Sequence, residues 1–328
     1  MADPLFLQST LKDYIWGGNK LKTLFGKKSD SKRIAESWEL SCNDDGPCTI
    51  LNGEGKGSTL KEFIEKHGAE NVLGRLCADI KNVPIIKLID ANEPLSIQVH
   101  PNDQYAQSKG YPNGKSEMWY IIDADKDAQI AFGLVRGVNH EELLRRINNG
   151  NLKKVLRYVP VHKGDVFYIP AGTLHAIGKG VLVAEVQQNS NLTYRAYDYN
   201  RKDANGQKRE LHIQDAVAAS CTGPTNLKQY CCDMTTIKLP WGSRRILCAC
   251  DYFLTSLETI RKKVSCAASP DVYRHFLILD GEGSLIIDGK TYKIKKGDSI
   301  LLPPQKVDYC IDGQLEYLST FSLSAEDI

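Results

Sequence analysis

Short runs of Val, Ile, Leu and Tyr recur along the chain, separated by clusters of Gly, Pro, Asn and Asp. Runs of that length and composition, bounded by turn residues, read as β-strands. They cover Ile85 to Ile89, Leu95 to Val99, Met118 to Ile122, Val166 to Ile169, Val181 to Val186, Phe276 to Leu279 and Ser284 to Ile287. The last run is followed by Asp288-Gly289 and Lys290, a dipeptide suited to a tight hairpin turn. Helical period is confined to a few places. Thr59 to His67 carries Leu60, Phe63 and Ile64 on one face, with Ser58 or Thr59 as the cap and Glu62 in the first turn. His140 to Asn148 carries Leu143, Leu144 and Ile147, and helix is expected to resume from Leu152 to Leu156 after a break at Asn149-Gly150. A third helix is expected from Ile213 to Ala219. Many short strands with few helices predict a β-sandwich or barrel.

One pattern occurs twice. Gly164-Asp-Val-Phe-Tyr-Ile-Pro170 and Gly297-Asp-Ser-Ile-Leu-Leu-Pro303 both read Gly-Asp, four strand-forming residues, Pro. A repeated unit of this kind implies two jelly-roll β-barrel domains, which suits 328 residues. The junction is expected between Ala219 and Leu239, where Thr-Gly-Pro-Thr-Asn interrupts the pattern, giving units of 1–230 and 231–328. The hydrophobic fraction of 42% provides a core without staples. A formal charge of +2 argues against a nucleic-acid partner, which calls for a concentrated basic excess, but leaves room for a small anionic substrate. Met1-Ala-Asp-Pro-Leu-Phe-Leu has no signal-peptide character, and no apolar run is long enough to span a membrane, so a soluble cytoplasmic protein is expected. In that compartment the ten cysteines are expected as free thiols. Neither Cys231-Cys232 nor Cys248-Ala-Cys250 has zinc-ribbon spacing.

The first copy of the repeat continues as Pro170-Ala-Gly172-Thr-Leu-His175. This spacing is the second sequence motif of the cupin superfamily: a strand ends at Pro170, Gly172 makes a tight turn, and the next strand begins with His175 facing the barrel interior. Gln98 and His100 lie two residues apart and therefore share one face of a strand, and Glu117 opens another apolar run. A lone buried histidine is more often a hydrogen-bonded core residue than a ligand. Gln98, His100, Glu117 and His175 together make a nitrogen and oxygen set suited to zinc, or less selectively to iron, cobalt or manganese, in a Lewis-acid role. The second copy holds Pro303, Gln305 and Asp308 at the corresponding positions, so only the N-terminal unit is expected to bind metal.

Leu95-Ser-Ile-Gln-Val-His-Pro101 followed by Gly114-Lys-Ser-Glu117-Met-Trp resembles the pattern of class I mannose-6-phosphate isomerases in their short bacterial two-cupin form. Tyr14-Ile-Trp-Gly-Gly18, Ala35-Glu-Ser-Trp-Glu-Leu40, Ile86-Lys-Leu88, Pro170-Ala-Gly-Thr-Leu-His-Ala176 and Asn189-Ser-Asn-Leu-Thr-Tyr-Arg195 extend the resemblance over the N-terminal two-thirds. It implies one zinc ion, Zn2+, on Gln98, His100, Glu117 and His175, an active-site arginine at Arg195, and interconversion of mannose 6-phosphate and fructose 6-phosphate. The chain departs from the family after Arg195, where Ala-Tyr-Asp-Tyr-Asn-Arg201 replaces a Gly-Leu-Thr-Pro-Lys run.

Aldose–ketose isomerisation through a cis-enediol needs a base, a proton carrier and charge stabilisation. Lys115 shares the face of Glu117 and is a candidate for binding phosphate or moving protons. Lys87 and Arg195 are further cations, Glu36 and Glu185 the uncommitted carboxylates, and Ser96 a hydroxyl on the face of Gln98 and His100. Arg201-Lys202 and Arg244-Arg245 read as solvated charges. The competing readings are an iron-dependent cupin oxygenase or epimerase, and a degenerate cupin that binds a sugar phosphate as a regulator. A monomer or homodimer is expected.

Overall fold

The computed structural model describes residues 3–202, 205–226 and 235–322. The expected division at 230/231 lies outside the described residues. Three sheets organise the chain, every strand pair being antiparallel. A six-stranded sheet runs in the order Val166–Ile169, Glu117–Ala124, Val181–Gln187, Ile85–Ala91, Glu36–Leu40, Thr10–Lys12. A five-stranded sheet runs Tyr194–Tyr197, Ile97–Val99, His175–Ile177, Gln129–Leu134, Leu156–Pro160. Trp16, Trp119, Ile121, Phe132, Phe167 and Ile177 fill the space between these two. The third sheet, of ten strands, gathers the C-terminal strands around Tyr309–Phe321 and Arg274–Ile287. Leu5–Gln8 from the other end of the chain pairs with Ser299–Leu302, so the N-terminal strand belongs to the C-terminal sheet.

The six-stranded sheet is covered on both faces, which is why Ile85–Ala91 and Val181–Gln187 are buried at every position. Ile86, Leu88, Met118, Tyr120, Ala184 and Val186 face the C-terminal sheet, where they meet Leu5, Leu247, Leu277, Leu301 and Leu318. The alternate residues Lys87, Glu117, Trp119 and Glu185 face the other way, into the N-terminal sandwich. Two strands that read as apolar thus carry Lys87 and Glu185 on the sandwich face, with Asp90 near the end of its strand on the other face. On the five-stranded sheet the same alternation turns Ile97, Val99, Ala176 and Ala196 toward helices His140–Asn148 and Ile213–Ala219, leaving Gln98, His175 and Arg195 facing inward.

The repeated motif has the same local structure in both copies. Gly164 and Gly297 have φ of 94° and 89°. The following Asp165 and Asp298 accept from the backbone N–H three residues back, at His162 and Lys295, each at 2.8 Å. Strands Val166–Ile169 and Ser299–Leu302 follow. Helix Leu60–His67 starts as expected, with Thr59 and Glu62 capping each other. Two expectations fail. Leu152–Lys154 is a single tight turn and Leu156–Pro160 a strand on Gln129–Leu134, because helix His140–Asn148 has already ended at Gly150, φ 66°, and Leu-Arg-Tyr-Val alternates. The runs at Phe276 and Ser284 are one long strand, Arg274–Ile287, bent by a register shift between Ile278 and Asp280.

Candidate active site

The motif loop fixes the first donor. Gly172, φ 87°, turns the chain so closely past Cys221 that a Cβ there would lie 2.6 Å from its Sγ. The Gly172 N–H donates to the His100 carbonyl at 2.8 Å, tying the two histidine segments together. His175 then enters its strand opposite Gln98, and Arg195 pairs with Gln98 from the other side. Three residue types that lie far apart in sequence become neighbours on one sheet face.

Backbone carbonyls fix both imidazoles. His100 Nδ1 lies 2.8 Å from Leu192 O, and His175 Nδ1 lies 2.9 Å from Thr173 O. A carbonyl only accepts, so each Nδ1 carries the proton and each Nε2 turns a lone pair inward. Burial holds His175 down to about 4 and His100 well below its ordinary range, which keeps both rings neutral. The two Nε2 atoms lie 3.4 and 3.3 Å from the Glu117 carboxylate, and the donor atoms of all three residues fall within 4.8 Å of one another. All three side chains are at most 1% exposed.

This set fits a divalent cation. Glu117 Oε1 is buried without a hydrogen-bond partner and faces the lone pair of a neutral imidazole, two electron-rich atoms with no proton between them. Nearby, the Lys115 ammonium donates to Glu117 Oε2 and lies 3.1 Å from His100 Nε2, so the donors already hold one positive charge. Gln98 borders the set, its Nε2 3.4 Å from His175 Nε2 and its Oε1 accepting from Ser96 Oγ at 3.1 Å.

The six-stranded sheet supplies the remaining charges. Glu185 is the register partner of both Lys87 and Trp119. Its carboxylate accepts from Trp119 Nε1 at 2.9 Å and lies 3.6 Å from Lys87 Nζ and 3.8 Å from Lys115 Nζ. Glu36 accepts from Trp38 Nε1 at 2.7 Å and lies 3.8 Å from Lys87, whose ammonium sits 4.4 Å above the Trp38 ring. Burial pushes Glu117 up to about 7, Glu185 adding to the effect and Lys115 opposing it. Burial pulls Lys115 down, but Glu117 and Glu185 outweigh it and leave the ammonium favoured. Glu185 is likewise penalised by burial, yet Lys115 and Lys87 hold it below its ordinary range.

A cleft of about 560 Å³ opens over this floor. Glu36, Lys87, Ser96, Gln98, Lys115, Glu185 and Arg195 all line it, while His100, Glu117 and His175 lie behind its surface. The structure therefore brings every sequence-predicted site residue to one place. It adds Tyr14, Trp16, Asp45 and Arg209, none of which the sequence marked for the site. Arg201 is absent from the cleft lining and is engaged by Asp198 and the Pro94 carbonyl rather than solvated. Arg244 is exposed, as expected, while donating to Glu258 at 2.6 Å, and Arg245 is part-buried and donates to the Gly164 carbonyl at 2.8 Å. No helix among the described residues is long and apolar enough to cross a membrane.

Residues 5–136 match the family model for the catalytic domain of type I phosphomannose isomerase, and residues 244–322 match that for the mannose-6-phosphate isomerase cupin domain. The chain is 39% identical over 320 residues to mannose-6-phosphate isomerase ManA of Bacillus subtilis (strain 168), covering 96% of this chain and 98% of that one. It is 36% identical over 324 residues to mannose-6-phosphate isomerase of Streptococcus mutans, covering 98% and 99%. The crystal structure of the mannose 6-phosphate isomerase from Bacillus subtilis superposes with a TM-score of 0.90 at 36% identity, covering 97% of this chain and 99% of that one.

Proposed function

The chain belongs to the type I phosphomannose isomerase family, and from that premise we propose that it interconverts mannose 6-phosphate and fructose 6-phosphate through a cis-enediol. The observation that carries this reading is the cluster of two inward imidazole lone pairs, one buried carboxylate and one ammonium at the floor of a sugar-sized cleft.

Gln98, His100, Glu117 and His175 would hold one divalent ion, zinc being our assignment for this nitrogen and oxygen set. When bound, such an ion supplies a Lewis acid for the sugar oxygens. Lys115 enters the reaction as an ammonium, because its carboxylate neighbours outweigh its burial. It donates a proton toward the oxygen that gains charge as the enediol forms and takes one back from the neighbouring hydroxyl on collapse. A carboxylate of the cleft, Glu36 or Glu185, takes the proton from one sugar carbon and returns it to the other. Glu185 keeps Lys115 charged and in place, and with Glu36 it does the same for Lys87. Arg195, in register with Gln98 on the facing sheet, presents its guanidinium to the substrate from the opposite wall. Ser96 lines the same wall and is a donor for a sugar hydroxyl. Trp16 and Trp119 close the sides and limit water at the reacting carbons. For the C-terminal unit we propose a structural part: it covers the outer face of the sheet that carries the charged residues.

Isomerisation in D2O tests the enediol. Proton transfer through a side chain puts solvent deuterium at C1 of fructose 6-phosphate or C2 of mannose 6-phosphate, read by NMR after several turnovers. Product free of solvent deuterium after many turnovers would point to direct hydride transfer and sink this mechanism.

A further inference from the structure

The segment after Arg195, where the chain leaves its family's pattern, builds a second group of charges beside the cleft. Tyr199 and Asn200 both have left-handed backbone conformations, φ 56° and 54°, which reverse the chain. The Tyr199 ring is braced by Lys153 Nζ at 4.4 Å and by the Arg201 guanidinium at 5.2 Å. The returning strand of chain is bridged at Lys202 and Lys208. It then runs along Tyr194–Tyr197, with His212 N donating to Arg195 O at 2.9 Å and Arg195 Nη1 donating to Glu210 O at 2.8 Å. Because Tyr194–Tyr197 is the edge of its sheet, this segment lies two strand spacings from Gln98, roughly 10 Å. An extended hexose phosphate bridges that gap.

The segment delivers Arg209 to the cleft wall next to Arg195. Asp198, 5% exposed, accepts from Arg209 Nε at 2.8 Å and Nη2 at 2.6 Å, fixing the plane of the guanidinium while leaving Nη1 for a ligand. Asp198 also accepts from Arg201, so its carboxylate is shared. Arg195 Nε is buried with no partner, and burial followed by the charge of Arg209 works against the Arg195 cation. Three guanidiniums here face one buried carboxylate, and Glu210 is largely in solvent. Asp45 lines the same cleft and accepts from Asn191 Nδ2 at 2.9 Å, keeping its negative charge. On the floor three carboxylates face two ammoniums, an excess that the divalent ion would take up.

We propose that Arg209 is the anchor for the phosphate monoester and the residue that makes the cleft prefer a phosphorylated over a free hexose. Asp198 and the Tyr199–Asn200 reversal act as its support. The proposal rests on the isomerase reading for the identity of the ligand, but the anion site stands on its own geometry.

Inorganic phosphate is the probe, titrated by calorimetry and as a competitive inhibitor against mannose 6-phosphate. Arg209→Gln is expected to raise both the phosphate inhibition constant and the KM at least tenfold in a folded protein with the parent's metal content, and to lower the thermal midpoint through the lost bonds to Asp198. Arg209→Lys, which keeps the charge and loses the fork, is expected to fall between them. A folded Arg209→Gln whose phosphate affinity and KM stay within twofold of the parent overturns the proposal. Should Arg209→Gln fail to fold, Arg209→Lys decides on the same readout, an unchanged inhibition constant overturning it. Phosphate binding that depends on Arg209 in a protein without isomerase activity would sink the isomerase reading and leave the anchor standing.

Discussion

Replacing Lys115 by Met tests the floor of the cleft most sharply. The side chain is 4% exposed, and its ammonium touches Glu117, lies 3.1 Å from His100 Nε2 and 3.8 Å from Glu185. Met has similar length and no charge, so the change removes the proton carrier without opening a large cavity. Loss of a general acid–base group costs about 10²- to 10⁴-fold in rate, or about 3–5 kcal/mol of transition-state stabilisation at 1.36 kcal/mol per decade. The ground state suffers too. Breaking one side of a buried ion pair costs about 3–5 kcal/mol when the remaining charge stays unpaired. That loss falls on the metal-free protein, where Glu117 is left buried without its ammonium; in the loaded protein the divalent ion would keep the Glu117 carboxylate paired. A coupled assay at saturating substrate gives kcat, elemental analysis gives bound metal, and a thermal melt reports the fold. The expected result is a kcat lowered at least a hundredfold in a folded protein that retains its metal. A kcat within tenfold of the parent, with metal bound, would refute the proton-carrying role.

Two further changes probe the scaffold. His275 is fully buried, its Nε2 2.8 Å from Ser299 Oγ, and Ser299 donates to the Glu39 carbonyl at 2.5 Å, so the imidazole is the donor and its Nδ1 is a bare, unpartnered acceptor. Burial holds His275 down to about 3 from the ordinary 6.5. Between those values the unfolded chain binds the extra proton, so stability falls as pH drops through that window, with a ceiling of about 5 kcal/mol. His275→Gln keeps a donor for Ser299 and does not titrate. Urea midpoints compared at pH 7 and pH 4 are expected to fall less for this variant, and equal falls would show that His275 does not set the acid limit. Leu301 is fully buried between Leu5 of the N-terminal strand and His275 of the long C-terminal strand. Leu301→Ala is expected to cost about 2–5 kcal/mol in a denaturant titration while leaving kcat within twofold. A loss under 1 kcal/mol would mean that the two ends of the chain are not joined through this contact.

The parts of the site that could be read from the sequence are those that follow from local periodicity. Gln98 and His100 share a face because side chains alternate along a strand, and Glu117 and Lys115 do so for the same reason. Lys87 and Glu185 stand out as single charges within apolar runs, and the structure places them against each other in register. Arg209 carried no such mark. It reaches the cleft because the chain reverses at the left-handed Tyr199 and Asn200 and again between the bridged Lys202 and Lys208, and Tyr-Asn is an unusual pair for the first turn. Tyr14 and Trp16 enter from a loop whose position depends on contacts with distant strands, such as the bridge from Gly17 to Ala91. The pairing of Leu5–Gln8 with Ser299–Leu302 spans nearly the whole chain, and nothing in either segment specifies its partner. Leu152 to Leu156 reads as helix because Leu152, Val155 and Leu156 fall at i, i+3 and i+4, but only Leu152–Lys154 turns, and Leu156 opens the alternating strand that follows.

The central claim is that buried nitrogen and oxygen donors at the floor of the cleft hold a metal that isomerisation requires. The most direct test is a coupled assay of mannose 6-phosphate to fructose 6-phosphate on one preparation as purified, after exhaustive chelation, and after return of stoichiometric zinc. Activity should vanish with the metal and come back with zinc, and His100→Ala and His175→Ala should neither bind the ion nor turn over. Full activity in a preparation shown by elemental analysis to be free of metal would contradict the account.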